Sequence, residues 1–246
     1  MLDYTILEYG DTFCPAAWVS EGNTVNYHKI YYCLSGSAVY QDSSGVHSLS
    51  PGRIYIFPQS CSYQVTHSRE GLFHVLWFHA DTRLPLVSEF YGQSIVPGDL
   101  AQSLLSSLAL AVSKRPEILG ALLPVLMKTL NLPGDGIPLH RRTLLLCADY
   151  IHGHIHEHIT NEDLAQVSGY QKRYLIEIFK AQTGMTPRQY VIHTKFNYAR
   201  KFLLQGKSVR ECAHLIGYSN ESDFGRDFKA LFAVTPGQFR RQSGLP

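Results

Sequence analysis

The sequence predicts an α+β protein, with an antiparallel β region first and an all-α region last. Three observations carry this. Up to about Ile95, short runs rich in aromatic and β-branched residues alternate with Gly, Pro and Ser. From Asp99 the leucines recur at helical spacing. After the residues around 140, one helix-turn-helix pattern is written twice.

The β region reads as short strands. Ile30-Tyr31-Tyr32-Cys33-Leu34 runs into Ser35-Gly36-Ser37, and Ile54-Tyr55-Ile56-Phe57 is bounded by Pro51-Gly52 and Pro58. Val75-Leu76-Trp77-Phe78 is a third run. Close, turn-marked spacing of this kind implies an antiparallel sandwich or barrel. The texture changes at Asp99, where Leu100, Leu104, Leu105 and Leu108 fall on one helical face. Pro116 suits the first position of a second helix running to about Leu130. These two helices either cover an edge of the β region or form a dimer seam. The segment Asn131–Pro138 holds two Pro and two Gly and reads as a linker. The chain thus divides into a β region (1–98), a helical covering or dimerisation region (99–131), a linker (132–140) and a helical domain (141–246).

Composition narrows the class. At 246 residues, 45% hydrophobic and 17% charged, the chain has the make-up of a folded protein. Residues 1–135 hold 7 Lys/Arg and 11 Asp/Glu, a net of −4; residues 136–246 hold 15 and 9, a net of +6. A basic second half is the half expected to meet a polyanion. The N-terminus has neither the basic start nor the apolar run of a signal peptide, and no apolar stretch is long enough for a bilayer. A cytoplasmic protein with no membrane partner is expected. The five cysteines are widely spaced and form no Cys-x-x-Cys pair, which argues against a disulfide framework or a zinc ribbon. No P-loop, dinucleotide fingerprint or nucleophile elbow occurs, and the carboxylates are scattered. No catalytic residue, cofactor or metal is expected, and the alternating His152, His154, His156 and His158 are not read as ligands.

The repeat is the most informative feature. Ala165, Gly169 and Tyr170 match Ala213, Gly217 and Tyr218 at an offset of 48. Phe179-Lys180-Ala181 matches Phe228-Lys229-Ala230 at an offset of 49, as does Thr186-Pro187 with Thr235-Pro236. The second copy carries one extra residue after its Tyr. Thr160 with Asp163, and Ser208 with Glu211, form capping-box starts. Gly169 and Gly217 stand where the first helix of each copy must turn. Leu175, Ile178 and Phe179 in one copy, and Phe224 and Phe228 in the other, supply inward faces. A helix from about Pro187 to Leu204 joins the copies and buries Phe196, Ala199, Phe202 and Leu203. A Gly-centred turn between short helices, present twice, is the pattern of a DNA reader.

The stretches Ile159–Ala165, Phe179–Pro187, Ala199–Leu204 and Phe228–Pro236 closely resemble the AraC/XylS family of bacterial regulators, over roughly Arg141 to Arg241. The second copy departs at Ala233, where the family usually has Gly. His28, Gly36, Pro51-Gly52, Phe57-Pro58 and Leu76–His79 are similar, more weakly, to that family's cupin-like sensor barrel. Tyr63 stands where a metal-binding cupin commonly has His, and no His-x-His lies near His28. The resemblance therefore implies a metal-free barrel that takes a small-molecule effector, often a sugar or related metabolite. It also implies double-stranded DNA, RNA polymerase and a second copy of the chain as partners.

By correspondence with the family, base contacts fall to Arg173, Ile176 and Glu177 in the first unit, and to Asn220, Glu221, Ser222 and Arg226 in the second. Arg173 and Arg226 suit guanine, Glu177 suits cytosine N4, and Ile176 suits a thymine methyl. Lys172, Lys195, Lys201, Lys207 and Arg210 are the phosphate candidates. Glu21, His28, Tyr63 and Trp77 are the effector candidates in the barrel. Two other readings stay open at this point: a barrel that only dimerises, and an enzyme built on the barrel.

Overall fold

The computed structural model describes residues 4–22, 27–59, 61–67, 72–82, 85–132 and 141–242. The predicted linker lies, past Leu132, outside the described residues. The chain divides into two compact units, Met1–Leu139 and, in the main, His140–Pro246.

The first unit opens with nine strands: β1 (Tyr4–Cys14), β2 (Val19–Gly22), β3 (His28–Ser35), β4 (Ala38–Asp42), β5 (Gly45–Leu49), β6 (Arg53–Phe57), β7 (Tyr63–His67), β8 (Phe73–Thr82) and β9 (Tyr91–Ser94). They pair antiparallel into two sheets, of order β1-β8-β3-β6-β9 and β2-β7-β4-β5. The α+β class is as predicted, but no pairing among the described residues closes these strands into one barrel.

Strand alternation explains the layering. Successive side chains point to opposite faces, so Tyr31 and Cys33, Tyr55 and Phe57, and Phe73 and Val75 face the smaller sheet. Their neighbours Ile30, Ile54, Ile56, Leu76 and Phe78 face the other way. There they pack on α1 (Leu100–Lys114) and α2 (Leu119–Thr129), through Leu105, Leu108, Leu123 and Leu126. Asp99 caps α1 by accepting from Gln102 N. Pro116 starts a single 3-10 turn, Pro116–Ile118, ahead of α2 rather than the α-helix itself. Their buried faces pack over the larger sheet.

The second unit is all helical: α3 (Arg141–Gly153), α4 (Asn161–Ser168), α5 (Lys172–Thr183), α6 (Pro187–Leu204), α7 (Val209–Leu215), α8 (Glu221–Phe232) and α9 (Pro236–Gln242). The capping boxes at Thr160/Asp163 and Ser208/Glu211 both form, and a third, Thr186/Gln189, starts α6 just ahead of Pro187. Phe196 on α6 stacks on Phe224 at 5.5 Å and meets Phe228 edge-on at 6.0 Å, so the joining helix is the core of the second copy.

Candidate functional site

Each copy places a short helix, a glycine and a second helix in succession. Gly169 ends α4 at φ 72°, a left-handed conformation that glycine adopts without cost. Gly217 lies at φ 81°, and it is also a point of close approach: a Cβ there would stand 2.4 Å from the His156 carbonyl oxygen. Gly217 thus seats the second copy's turn on the α3–α4 connection.

Lys195 completes that junction. Its Nζ donates to Glu157 O at 2.6 Å and Ile216 O at 2.9 Å. From the middle of α6 it ties the turn of the second copy to the loop that precedes the first. Lys195 is buried, and desolvation holds its ammonium below the usual lysine range. This corrects the phosphate assignment: the ammonium is committed to two carbonyls and is not a surface charge.

The reading positions are exposed. Arg173, Glu177, Asn220, Glu221, Ser222 and Arg226 face solvent, and Ile176 is half-buried. Arg173 Nε sits 3.6 Å from Glu177 Oε1, one turn along α5. Arg226 is held more firmly, with Nη1 2.8 Å from Asp223 Oδ1 and Nε 3.3 Å from Asp227 Oδ1. Tyr218 donates to the other oxygen of Asp227 at 2.9 Å. Asn220 caps α8, its Oδ1 accepting from Ser222 N at 2.7 Å. Its amide nitrogen is the part left for a ligand. Among the basic candidates, Lys172 pairs with Glu162, Lys201 and Lys207 are half-buried, and Arg210 is exposed.

The offset of 49 carries an unexploited signal. It superposes Gln171 on Asn220, and Glu177 on Arg226. Gln171 is exposed immediately before α5, so it belongs with the reading residues, and the repeat arithmetic alone points to it. The same arithmetic shows opposite charges at one reading position of the two helices.

The four barrel residues separate. Tyr63 is buried between the sheets, stacked 5.3 Å from Tyr40 and pressed on Gly22. Trp77 also faces the smaller sheet, lying over Gly10 and donating from Nε1 to Thr12 Oγ1 at 3.0 Å. His28 is wholly buried and fully used: Leu86 N donates to Nε2 at 2.8 Å, so Nδ1 carries the proton and donates to Phe57 O at 2.9 Å. Burial lowers its pKa to about 4. His28 is therefore a neutral structural residue, not an effector contact. Glu21 is exposed and accepts from Gln64 Nε2 at 3.0 Å, while its strand neighbour Gly22 is buried. Alternation thus places Glu21 on the outer face of its sheet. Sequence reasoning missed Gln59: both its amide atoms, and the Tyr63 hydroxyl, are buried with no hydrogen-bond partner among the described residues. Among the described residues no group of three or more His, Cys, Asp or Glu could hold a metal ion, and no helix is long and apolar enough to cross a membrane.

A short capped helix, a glycine turn and an exposed second helix, twice over, define a helix-turn-helix protein. Residues 164–242 match a family model described as a helix-turn-helix domain. This part of the chain is a helix-turn-helix domain. The probable transcriptional regulator LumQ of Photobacterium leiognathi is 27% identical over 107 residues, which is 43% of each chain. The MmsAB operon regulatory protein of Pseudomonas aeruginosa is 30% identical over 94 residues, 38% of this chain and 31% of that one. The chain spans less than half the length of these relatives. Among solved structures, ToxT of Vibrio cholerae O395 matches 97% of both chains with a TM-score of 0.64 at 13% identity. Unsaturated fatty acid bound ToxT from Vibrio cholerae strain SCE256 covers 96% of this chain and 94% of that one, with a TM-score of 0.63 at 12% identity. These two likenesses show a shared two-part fold.

Proposed function

We propose that this chain is a sequence-specific DNA-binding transcription regulator, without enzymatic activity, whose N-terminal unit responds to a small molecule. The observation that carries the DNA reading is the pair of exposed second helices on one unit, with the second copy's turn fastened by Lys195 and Gly217 to the connection that leads into the first copy. The joining helix, with 18 residues, is about 27 Å long at 1.5 Å per residue. That is of the order of one turn of duplex, about 34 Å, so the two readers suit successive major-groove segments. Arg173, Ile176, Glu177, Gln171, Asn220, Glu221, Ser222 and Arg226 would meet base edges; Lys172, Lys201, Lys207 and Arg210 would meet phosphates. The sign of charge in the second half supports this, as do the relatives named as transcriptional regulators.

The effector reading rests on buried, unpaired polar groups of the first unit. Buried polar groups are nearly always paired, so the Tyr63 hydroxyl and the Gln59 amide are groups that a ligand would satisfy. Tyr63 and Trp77 face the interior between the sheets; Glu21 and His28 are left out of the contact set for the reasons above. ToxT, which shares the fold, has been crystallised with an unsaturated fatty acid. A sugar or related metabolite is the alternative occupant. A cytoplasmic, dimeric regulator acting with RNA polymerase completes the proposal.

The test is selection of the full chain against a random duplex library, with and without extracts of small metabolites. Enrichment of two short elements about one helical turn apart is expected. Recovery of no sequence above background would refute the reading.

A further inference from the structure

We propose that the seam between β5 and β9, where the two sheets fail to close, is the mouth of the effector site, and that it takes a ring-bearing organic carboxylate. This rests on the reading above that the N-terminal unit binds a small molecule.

An open cleft of about 510 Å³ lies at this seam, bounded by His47 and Ser48 of β5, Arg53 and Tyr55 of β6, and Phe90 and Gly92. A volume of this size lies within the range of small-molecule sites. Its inner wall is aromatic. Phe90 comes from the connection into β9 and slots between the sheets. It lies nearly parallel to Tyr40 at 4.3 Å and to His47 at 4.4 Å, with Tyr55 at 5.7 Å and Phe57 at 5.8 Å. Tyr40 and His47 are cross-strand partners, so Phe90 rests on both rings at once. A flat apolar body is the shape this wall accepts.

The rim supplies the charge. Arg53 is held in place by bonds from Nη1 to Ser94 Oγ at 2.8 Å and from Nη2 to Gly92 O at 3.3 Å, and it lies 5.9 Å from the Tyr55 ring. A guanidinium has five N–H donors in a fixed fork, so donors remain. Among the described residues no carboxylate pairs with Arg53. The turn beside it is fixed as well: the Tyr55 hydroxyl accepts from Ser50 N at 2.9 Å and donates to Ser48 O at 3.2 Å. An anchored, unneutralised guanidinium next to a ring-lined wall recognises a carboxylate on a planar body. Phe90 separates this rim from Tyr63, which lies beyond Tyr40 and Phe57.

The experiment is calorimetric titration of the full chain with 2-naphthoate, its uncharged amide 2-naphthamide, and glucose. Saturable binding of 2-naphthoate, at least about tenfold tighter than that of the amide, is expected. Arg53→Gln should weaken 2-naphthoate by about tenfold and leave the amide unchanged, and Arg53→Lys should lie between. Equal binding of acid and amide would overturn the proposal on the unmodified chain alone, whatever the folding of the variants. Tight glucose binding that ignores Arg53→Gln would overturn it while leaving the effector reading standing. Failure of all three probes overturns the ring-carboxylate class; if a broad metabolite panel also leaves the melting temperature unmoved, the effector reading fails with it.

Discussion

Replacing Ala233 by glycine should stabilise the helix-turn-helix unit. Ala233 follows α8 at φ 60°, ψ 0°, and it is the single non-glycine residue with positive φ among those described. Its counterpart at the offset of 49 is Gly184, at φ 71°. Both copies therefore demand a left-handed residue after the second helix, and only the first supplies glycine. An L-residue with a Cβ pays about 1–2 kcal/mol in this conformation. Glycine loses about 0.4–1 kcal/mol more through the entropy of the unfolded chain. The difference favours Ala233→Gly by about 0.5–1 kcal/mol, a rise of several degrees in Tm, since about 1 kcal/mol corresponds to roughly 4–8 °C in a domain of near 100 residues. Both tryptophans, Trp18 and Trp77, lie in the first unit. Thermal melts followed by far-ultraviolet circular dichroism should move, while the tryptophan fluorescence transition stays. Gly184→Ala should do the reverse, by at least as much. An unmoved or lowered dichroism transition for Ala233→Gly would refute the reasoning.

His28, with a folded pKa of about 4 against 6.5 unfolded, favours the fold only while neutral. That contribution is full above about pH 7 and falls as pH drops from 6.5 to 4, by about 3 kcal/mol in all; its Hε1 resonance should not shift between pH 8 and 5, and a midpoint near 6.5 would contradict this. Lys195→Met removes two charge-assisted bonds and should cost the second unit about 2–4 kcal/mol in denaturant titrations, yet leave the salt dependence of DNA binding at its original slope. Arg210→Ala, in contrast, should weaken all duplexes alike and reduce that slope by about 0.9; an unchanged slope would remove it from the phosphate set. Arg226→Ala should relax base preference at one position by about 1–3 kcal/mol, less the ion pairs it surrenders with Asp223 and Asp227; equal loss on selected and random DNA would end its reading role.

The helical half was largely legible because its signals are local. Thr186-Pro187 marks a helix start by capping and fixed φ, and α6 runs Pro187–Leu204 as the spacing predicts. The boxes at Thr160 and Ser208 likewise need only four residues each. What stayed hidden depends on distant partners. Nothing near Lys195 in sequence shows that two carbonyls, 38 and 21 residues away, will take its ammonium. His28 depends on Leu86, 58 residues on. Glu21 was misplaced by strand parity, which its own four-residue strand is too short to declare. The β runs around Ile30, Ile54 and Val75 were visible as strands, but aromatic and aliphatic residues simply alternate there. That pattern marks two apolar faces without saying whether the sheets will close.

The larger sheet has neighbours on both faces, and this limits how the protein can diversify. Along β3, β6 and β8 most residues are claimed by one interior or the other. A single-residue insertion in β3 would send Tyr31 toward the helices and Ile30 toward the smaller sheet, spoiling both interiors together. The central strands are therefore frozen in length by two independent demands. β5 and β9 each pair on one side only, and their cleft-facing residues answer to no second core. New chemical tastes in this scaffold have room to arise at that margin, by exchange of side chains, while the strands behind it keep their count.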